Sequence, residues 1–70
     1  MIQDYSRSDI EYLINEWVIG KNAERDREIM RRRLIDGICY EPLAEEFDLS
    51  TPQIKRIIYK RNNQIFKKRN

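Results

Sequence analysis

Tyr40-Glu41-Pro42-Leu43-Ala44-Glu45-Glu46-Phe47-Asp48-Leu49-Ser50-Thr51-Pro52-Gln53-Ile54-Lys55-Arg56-Ile57-Ile58-Tyr59 is the stretch on which the fold turns. Pro42 has no N–H and fits a helix only in its first turn, so a helix over Tyr40–Phe47 begins just before it. Leu43, Ala44 and Phe47 share the inward side of that helix. Asp48-Leu49-Ser50 breaks the pattern and reads as a turn. Ser50 followed three residues later by Gln53 is a capping box, so a second helix starts at Thr51 and runs to about Lys67. Ile54, Ile57 and Ile58 form its buried stripe. Ala44, small and midway along the first helix, lets the second cross at close range. Two helices, a short turn and a small residue at the crossing make a helix-turn-helix.

Burying Ile54, Ile57 and Ile58 fixes by geometry what the second helix turns outward. That set is Ser50, Thr51, Pro52, Gln53, Lys55, Arg56, Tyr59 and Lys60, with Arg61 beside it, and none of them is acidic. Such a face suits a helix lying in the major groove of DNA between two phosphate rows. Ser50 opens the helix, whose first-turn amides can meet a phosphate. Gln53 and Arg56 have the reach for two-point base readout, glutamine to adenine and arginine to guanine. Lys55, Arg56, Lys60 and Arg61 are assigned to phosphates, with Lys67 and Lys68 extending the footprint. Thr51 can touch a thymine methyl, and Pro52 offers apolar contact only. Tyr59 is open to stacking, phosphate contact or covering the core.

Working outward, Ser8 and Glu11 predict a capping box for a helix over Asp9–Ile19, whose Ile10, Leu13, Ile14, Trp17 and Val18 make one apolar stripe. Gly20 then supplies a stop. A helix over Ala23–Asp36 follows, with Asn22 as N-cap. Acids near its start and Arg31-Arg32-Arg33 near its end complement the helix dipole. Gly37 fits the position after the helix, where positive φ is needed. Those arginines read equally well as partners of Glu28 and Asp36 or as phosphate contacts. The predicted core is Ile10, Leu13, Ile14, Trp17, Met30, Leu34, Leu43, Ala44, Phe47, Leu49, Ile54, Ile57 and Ile58. Cys39 is read as a small buried hydrophobe. No strand or hairpin signal occurs, so the 70 residues are expected to form one all-α domain of four helices.

The net charge of +2 conceals a division. Residues 1–48 hold 7 Lys/Arg against 12 Asp/Glu, a net −5, whereas residues 49–70 hold 7 Lys/Arg and no acid. An acidic body with a wholly basic last third points to a polyanionic partner, chiefly nucleic acid. The chain has no histidine and one cysteine, Cys39. Ser-His and Cys-His catalysis therefore lack their parts, as does a four-ligand zinc site, and neither an enzyme nor a cofactor is expected. The N-terminus lacks the basic and apolar regions of a secretory signal, and no apolar run is long enough to span a membrane. A cytoplasmic location is the default expectation.

The segment Asp36-Gly37-Ile38-Cys39-Tyr40-Glu41-Pro42-Leu43-Ala44-Glu45-Glu46-Phe47-Asp48-Leu49-Ser50 resembles the C-terminal promoter-reading region of bacterial sigma factors, the fourth conserved region. The shared pattern is aspartate-glycine, an acid, an aliphatic-alanine pair, a turn and a serine. The Arg-rich helix Glu24–Ile35 resembles the helix that family places before its motif, so the resemblance covers roughly Asn22–Phe66. Small phage and bacterial transcription regulators share the same four-helix pattern. Cys39 stands where the family prefers serine or threonine, Pro42 where it usually has glutamate, and Asp48 where it has a turn glycine. The resemblance implies that the last helix reads DNA, with Thr51, Pro52, Gln53, Lys55 and Arg56 at base- or phosphate-facing positions. It does not extend to a promoter preference, because Pro52 cannot hydrogen-bond a base.

The expected function is sequence-specific binding of double-stranded DNA by a small transcription regulator of phage or bacterial origin. The alternative is a protein-interaction module that docks on RNA polymerase or on a phage assembly partner. A monomer in isolation is expected, since the apolar stripes are consumed by the core. Tyr5, Tyr12 and Ile19 are the spare apolar surface.

Overall fold

The computed structural model describes residues 5–66. They form four helices: α1 (Arg7–Trp17), α2 (Ala23–Leu34), α3 (Tyr40–Phe47) and α4 (Thr51–Ile65), with no strand among the described residues. α3 and the start of α4 lie where the sequence places them. Lys67 and Lys68, given a part in the footprint, lie outside the described residues. None of the described helices is long and apolar enough to cross a membrane.

α1 starts two residues earlier than expected. Ser6 and Asp9, not Ser8 and Glu11, form its capping box: Ser6 Oγ accepts from the Asp9 amide and Asp9 Oδ2 from the Ser6 amide. Both pairs satisfy the motif, and the earlier one adds helical residues at the same capping benefit. The helix also ends at Trp17, because Val18 turns extended and drops into the core. α2 ends at Leu34, two residues before Asp36. The Ile38 amide folds back onto the Arg32 carbonyl at 3.0 Å, with Gly37 at φ 72°. The left-handed glycine lets the chain reverse and close this wide turn on the last carbonyls of the helix. Asn22 caps α2 by position only: its φ is 62° and its side chain makes no capping bond.

Ile14, Val18, Ile29, Met30, Leu43 and Ile54 are fully enclosed at the centre, joined by Ile10, Ala44, Ile58 and Ile65. Leu13, Leu34, Phe47, Leu49 and Ile57 pack against this core from its margin. Trp17 is the clear departure, 54% exposed instead of buried. α1 packs on α2 and α4 but does not reach α3, so the Ile10–Ile14–Val18 line of its wide stripe is covered, Leu13 is half-buried beside it, and Trp17 is left open. Cys39 is likewise exposed, not buried. It occupies the N-cap of α3, in extended backbone, and makes no capping bond.

Asp48 makes the turn between α3 and α4 in the left-handed region, at φ 57°, a conformation aspartate tolerates better than most residues. The Leu49 amide then bonds the Ala44 carbonyl at 2.9 Å, closing the end of α3. Leu49 tucks against the core and leads the chain into Ser50, the start of α4.

Candidate nucleic-acid interface

α4 is central to the fold, since it touches each of the other three helices. Its inner line is Ile54, Ile58, Arg61 and Ile65, at spacings of four, three and four. Opposite that line, Pro52, Gln53, Lys55, Arg56, Tyr59 and Lys60 are exposed and Thr51 is half-buried. Tyr59 is 58% exposed, which removes covering the core from its possible roles. A helix with its side chains is about 10–12 Å across, and the major groove is about 12 Å wide. The exposed face of α4 therefore has the dimensions of a groove-filling element and carries three cations with no acid.

Arg61 is not part of that face, which corrects its assignment to phosphate. It is 4% exposed and paired with Asp26 of α2, its Nε donating to Asp26 Oδ2 at 2.8 Å. Its Nη1 donates to the Ile19 carbonyl and to Gln64 Oε1, and its Nη2 to the Lys21 carbonyl. One guanidinium thus holds α4 to α2 and to the loop leaving α1. A planar fork with five donors suits this arrangement, and an ammonium would not. The signal was present in the sequence: Arg61 falls on the Ile54–Ile58–Ile65 stripe, and Asp26 falls on the Ile29–Met30 side of α2. Opposite charges on two apolar stripes pair across a core.

The start of α4 is also less open than its sequence suggests. Ser50 Oγ accepts from the Gln53 amide, and Gln53 Oε1 accepts from the Ser50 amide at 2.9 Å. Pro52 has no amide proton to offer. Of the first-turn donors, the Thr51 amide is left to meet an anion, so Ser50 acts as the cap and not as a phosphate cradle. Gln53 is constrained in the same way. Two-point recognition of adenine needs both ends of the amide. With Oε1 committed to the helix cap, Gln53 keeps only its NH2 for a base. Arg56, exposed and without a carboxylate partner among the described residues, keeps its full fork.

The three adjacent arginines of α2 separate by role. Arg31 pairs with Glu28 at 2.8 Å and donates to Asn15 of α1. Arg32 joins Asp36 and Glu46 of α3, at 3.2 and 3.0 Å. The hydrogen bond to Glu46 raises the Arg32 pKa further above its ordinary value. Both arginines are thus taken up in ion pairs. Arg33 has no carboxylate partner among the described residues. It donates to the Ile38 carbonyl and lies 4.6 Å from the centre of the Tyr40 ring. Lys55 of α4 comes to the same ring, at 5.5 Å. Sequence periodicity could not reveal this grouping, because the irregular segment between α2 and α3 sets the position of Tyr40 relative to Arg33.

No family model, curated protein or solved structure matches the chain.

Proposed function

We propose that the chain is a sequence-specific, double-stranded DNA-binding domain acting as a small transcription regulator, with α3 and α4 as its reading unit. The observation that carries this reading is the outer face of α4, where Lys55, Arg56, Tyr59 and Lys60 are exposed and uninterrupted by acid, while the inner face holds the core. In this reading α4 enters the major groove by its N-terminal half. Arg56 supplies base readout, and Lys55 and Lys60 hold phosphates as point charges. Thr51 and Pro52 add apolar contact.

Duplex binding at two salt concentrations, with random and A·T-rich probes, tests the proposal. Each neutralised phosphate contributes about −0.9 to the slope of log K against log salt, so Lys55 and Lys60 alone set a slope near −1.8 and further cations steepen it. Binding that ignores salt, or no binding to any duplex at low salt, overturns the reading.

A second reading, as a module that docks on RNA polymerase or another protein, draws on the exposed apolar side chains of the α1 end, Tyr12, Trp17 and Ile19. The charge of α4 favours DNA over this reading. Sedimentation at micromolar concentration should give a monomer. A tight dimer would instead point to a two-fold DNA site with half-sites about one helical turn apart.

A further inference from the structure

We propose that Arg33 and Lys55, gathered on the ring of Tyr40, form an anion-binding point that takes a backbone phosphate at the edge of the groove α4 enters. The inference rests on the DNA-binding reading and extends the contact surface from α4 to the junction of three helices.

Arg33 belongs to α2, Tyr40 opens α3, and Lys55 lies in the N-terminal half of α4. The two cationic groups lie 4.6 and 5.5 Å from one ring centre, so they are no more than about 10 Å apart. Like charges repel, and the other arginines packed at the helix junctions have carboxylates beside them: Glu28 for Arg31, Asp36 and Glu46 for Arg32, Asp26 for Arg25 and Arg61. Neither Arg33 nor Lys55 has such a partner among the described residues. Glu41, exposed and next to Tyr40, makes no ion pair with them. A π face attracts both cations but does not neutralise them. The charge is left for an external anion.

The surroundings fit a phosphate. The first turn of α3 has no side-chain cap, which leaves the Tyr40 and Glu41 amides without a side-chain acceptor. Lys55 is one residue from Arg56, so an anion at Tyr40 lies beside the base-reading part of α4. Arg33 adds a planar fork and Lys55 a mobile point charge, the two usual modes of phosphate contact. Tyr40 acts here as a positioning residue, through the two cations.

The test compares the salt dependence of duplex binding for the intact chain with that of R33Q, K55Q, the double variant, Y40F and Y40L. R31Q serves as control, because Arg31 is already paired with Glu28. Thermal melts establish that each variant is folded. R33Q and K55Q should each lower the slope magnitude by about one, and the double variant by about two. Between 50 and 200 mM salt, each lost contact shrinks the salt-induced loss of affinity about 3.5-fold. Y40F keeps the π face and should match the intact chain, whereas Y40L should lower the slope. Should Y40L fail to fold, the R33Q slope decides the matter, since a drop for K55Q follows from the DNA-binding reading alone.

If the intact chain binds duplex with a steep salt dependence and K55Q lowers the slope while R33Q leaves it unchanged, the anion point is overturned and the DNA-binding reading stands, with Lys55 holding its phosphate alone. An equal drop for R31Q would also overturn it, by showing a diffuse effect of charge. If the intact chain binds no duplex at all, the reading itself fails and this inference with it.

Discussion

Replacing Arg61 with alanine separates a structural role from a DNA-contact role at one position. The guanidinium makes four hydrogen bonds, to Asp26, Ile19, Lys21 and Gln64, and both it and Asp26 are almost fully enclosed. Removing one partner of a buried ion pair costs about 3–5 kcal/mol, because the other charge stays behind uncompensated. Asp26 would keep only Arg25, which reaches it from the protein surface at 3.0 Å. A domain of this length has a total stability of about 3.5–10 kcal/mol, so R61A should leave it at or near the edge of folding. Urea unfolding followed by far-UV circular dichroism measures this directly. The exposed Trp17 makes a poor reporter, so fluorescence is second choice. Substituting both partners by apolar residues of similar size, D26L with R61M, should recover most of the loss, since a well-packed apolar pair can equal a buried ion pair. The reasoning is refuted if R61A unfolds at the urea concentration of the intact chain while its DNA-binding slope drops by one. That outcome would return Arg61 to the phosphate-binding face.

R56A should cost about 1–3 kcal/mol on the preferred site and relax the choice at one base pair, whereas K60A should weaken all sequences about equally and lower the salt slope by about one. Site selection from a random library with each variant checks both, and an unchanged motif for R56A with a changed one for K60A would reverse the two roles. Q53A should lower stability by about 0.5–1 kcal/mol through loss of the cap partner, and leave the selected base motif unaltered. Loss of selectivity at one A·T pair without loss of stability would show that Gln53 leaves its cap to read a base. A44L should overpack the crossing of α3 and α4 and cost about 1–3 kcal/mol, and an unchanged melting temperature would remove Ala44 from that crossing.

The helix pattern was legible wherever local chemistry decided it. Pro42 fixed the start of α3, and Ser50 and Gln53 that of α4, each through a requirement of the backbone itself, whereas Gly37 marked the turn after α2 but not its last residue. Where two solutions satisfied the same local rule, the sequence could not choose, as with Ser6–Asp9 against Ser8–Glu11. Trp17 shows a second limit. Periodicity says which side of α1 is apolar but not how wide a strip its neighbours cover, and α3 lies too far away to cover more. Of the candidate site, Lys55, Arg56, Tyr59 and Lys60 followed from helical geometry alone. Arg61 did not, because its basic neighbours in sequence outweighed the apolar stripe on which it lies. Arg33 and Tyr40 depend on the path of residues 35–39, which no periodic rule describes.

Because α4 touches every other helix, its place as the last of the described helices governs the timing of folding. Until Ile65 has left the ribosome, the core lacks Ile54, Ile58 and Ile65, and the guanidinium that fastens the Ile19–Lys21 loop has not been delivered. A nascent chain stopped before Thr51 would be a net-acidic polypeptide with an open apolar groove, unable to compete for the site of the finished domain. The helix that completes the fold is also the one proposed to read DNA. Folding and the capacity to bind should therefore arise in the same step of synthesis, with no folded but inactive precursor between them.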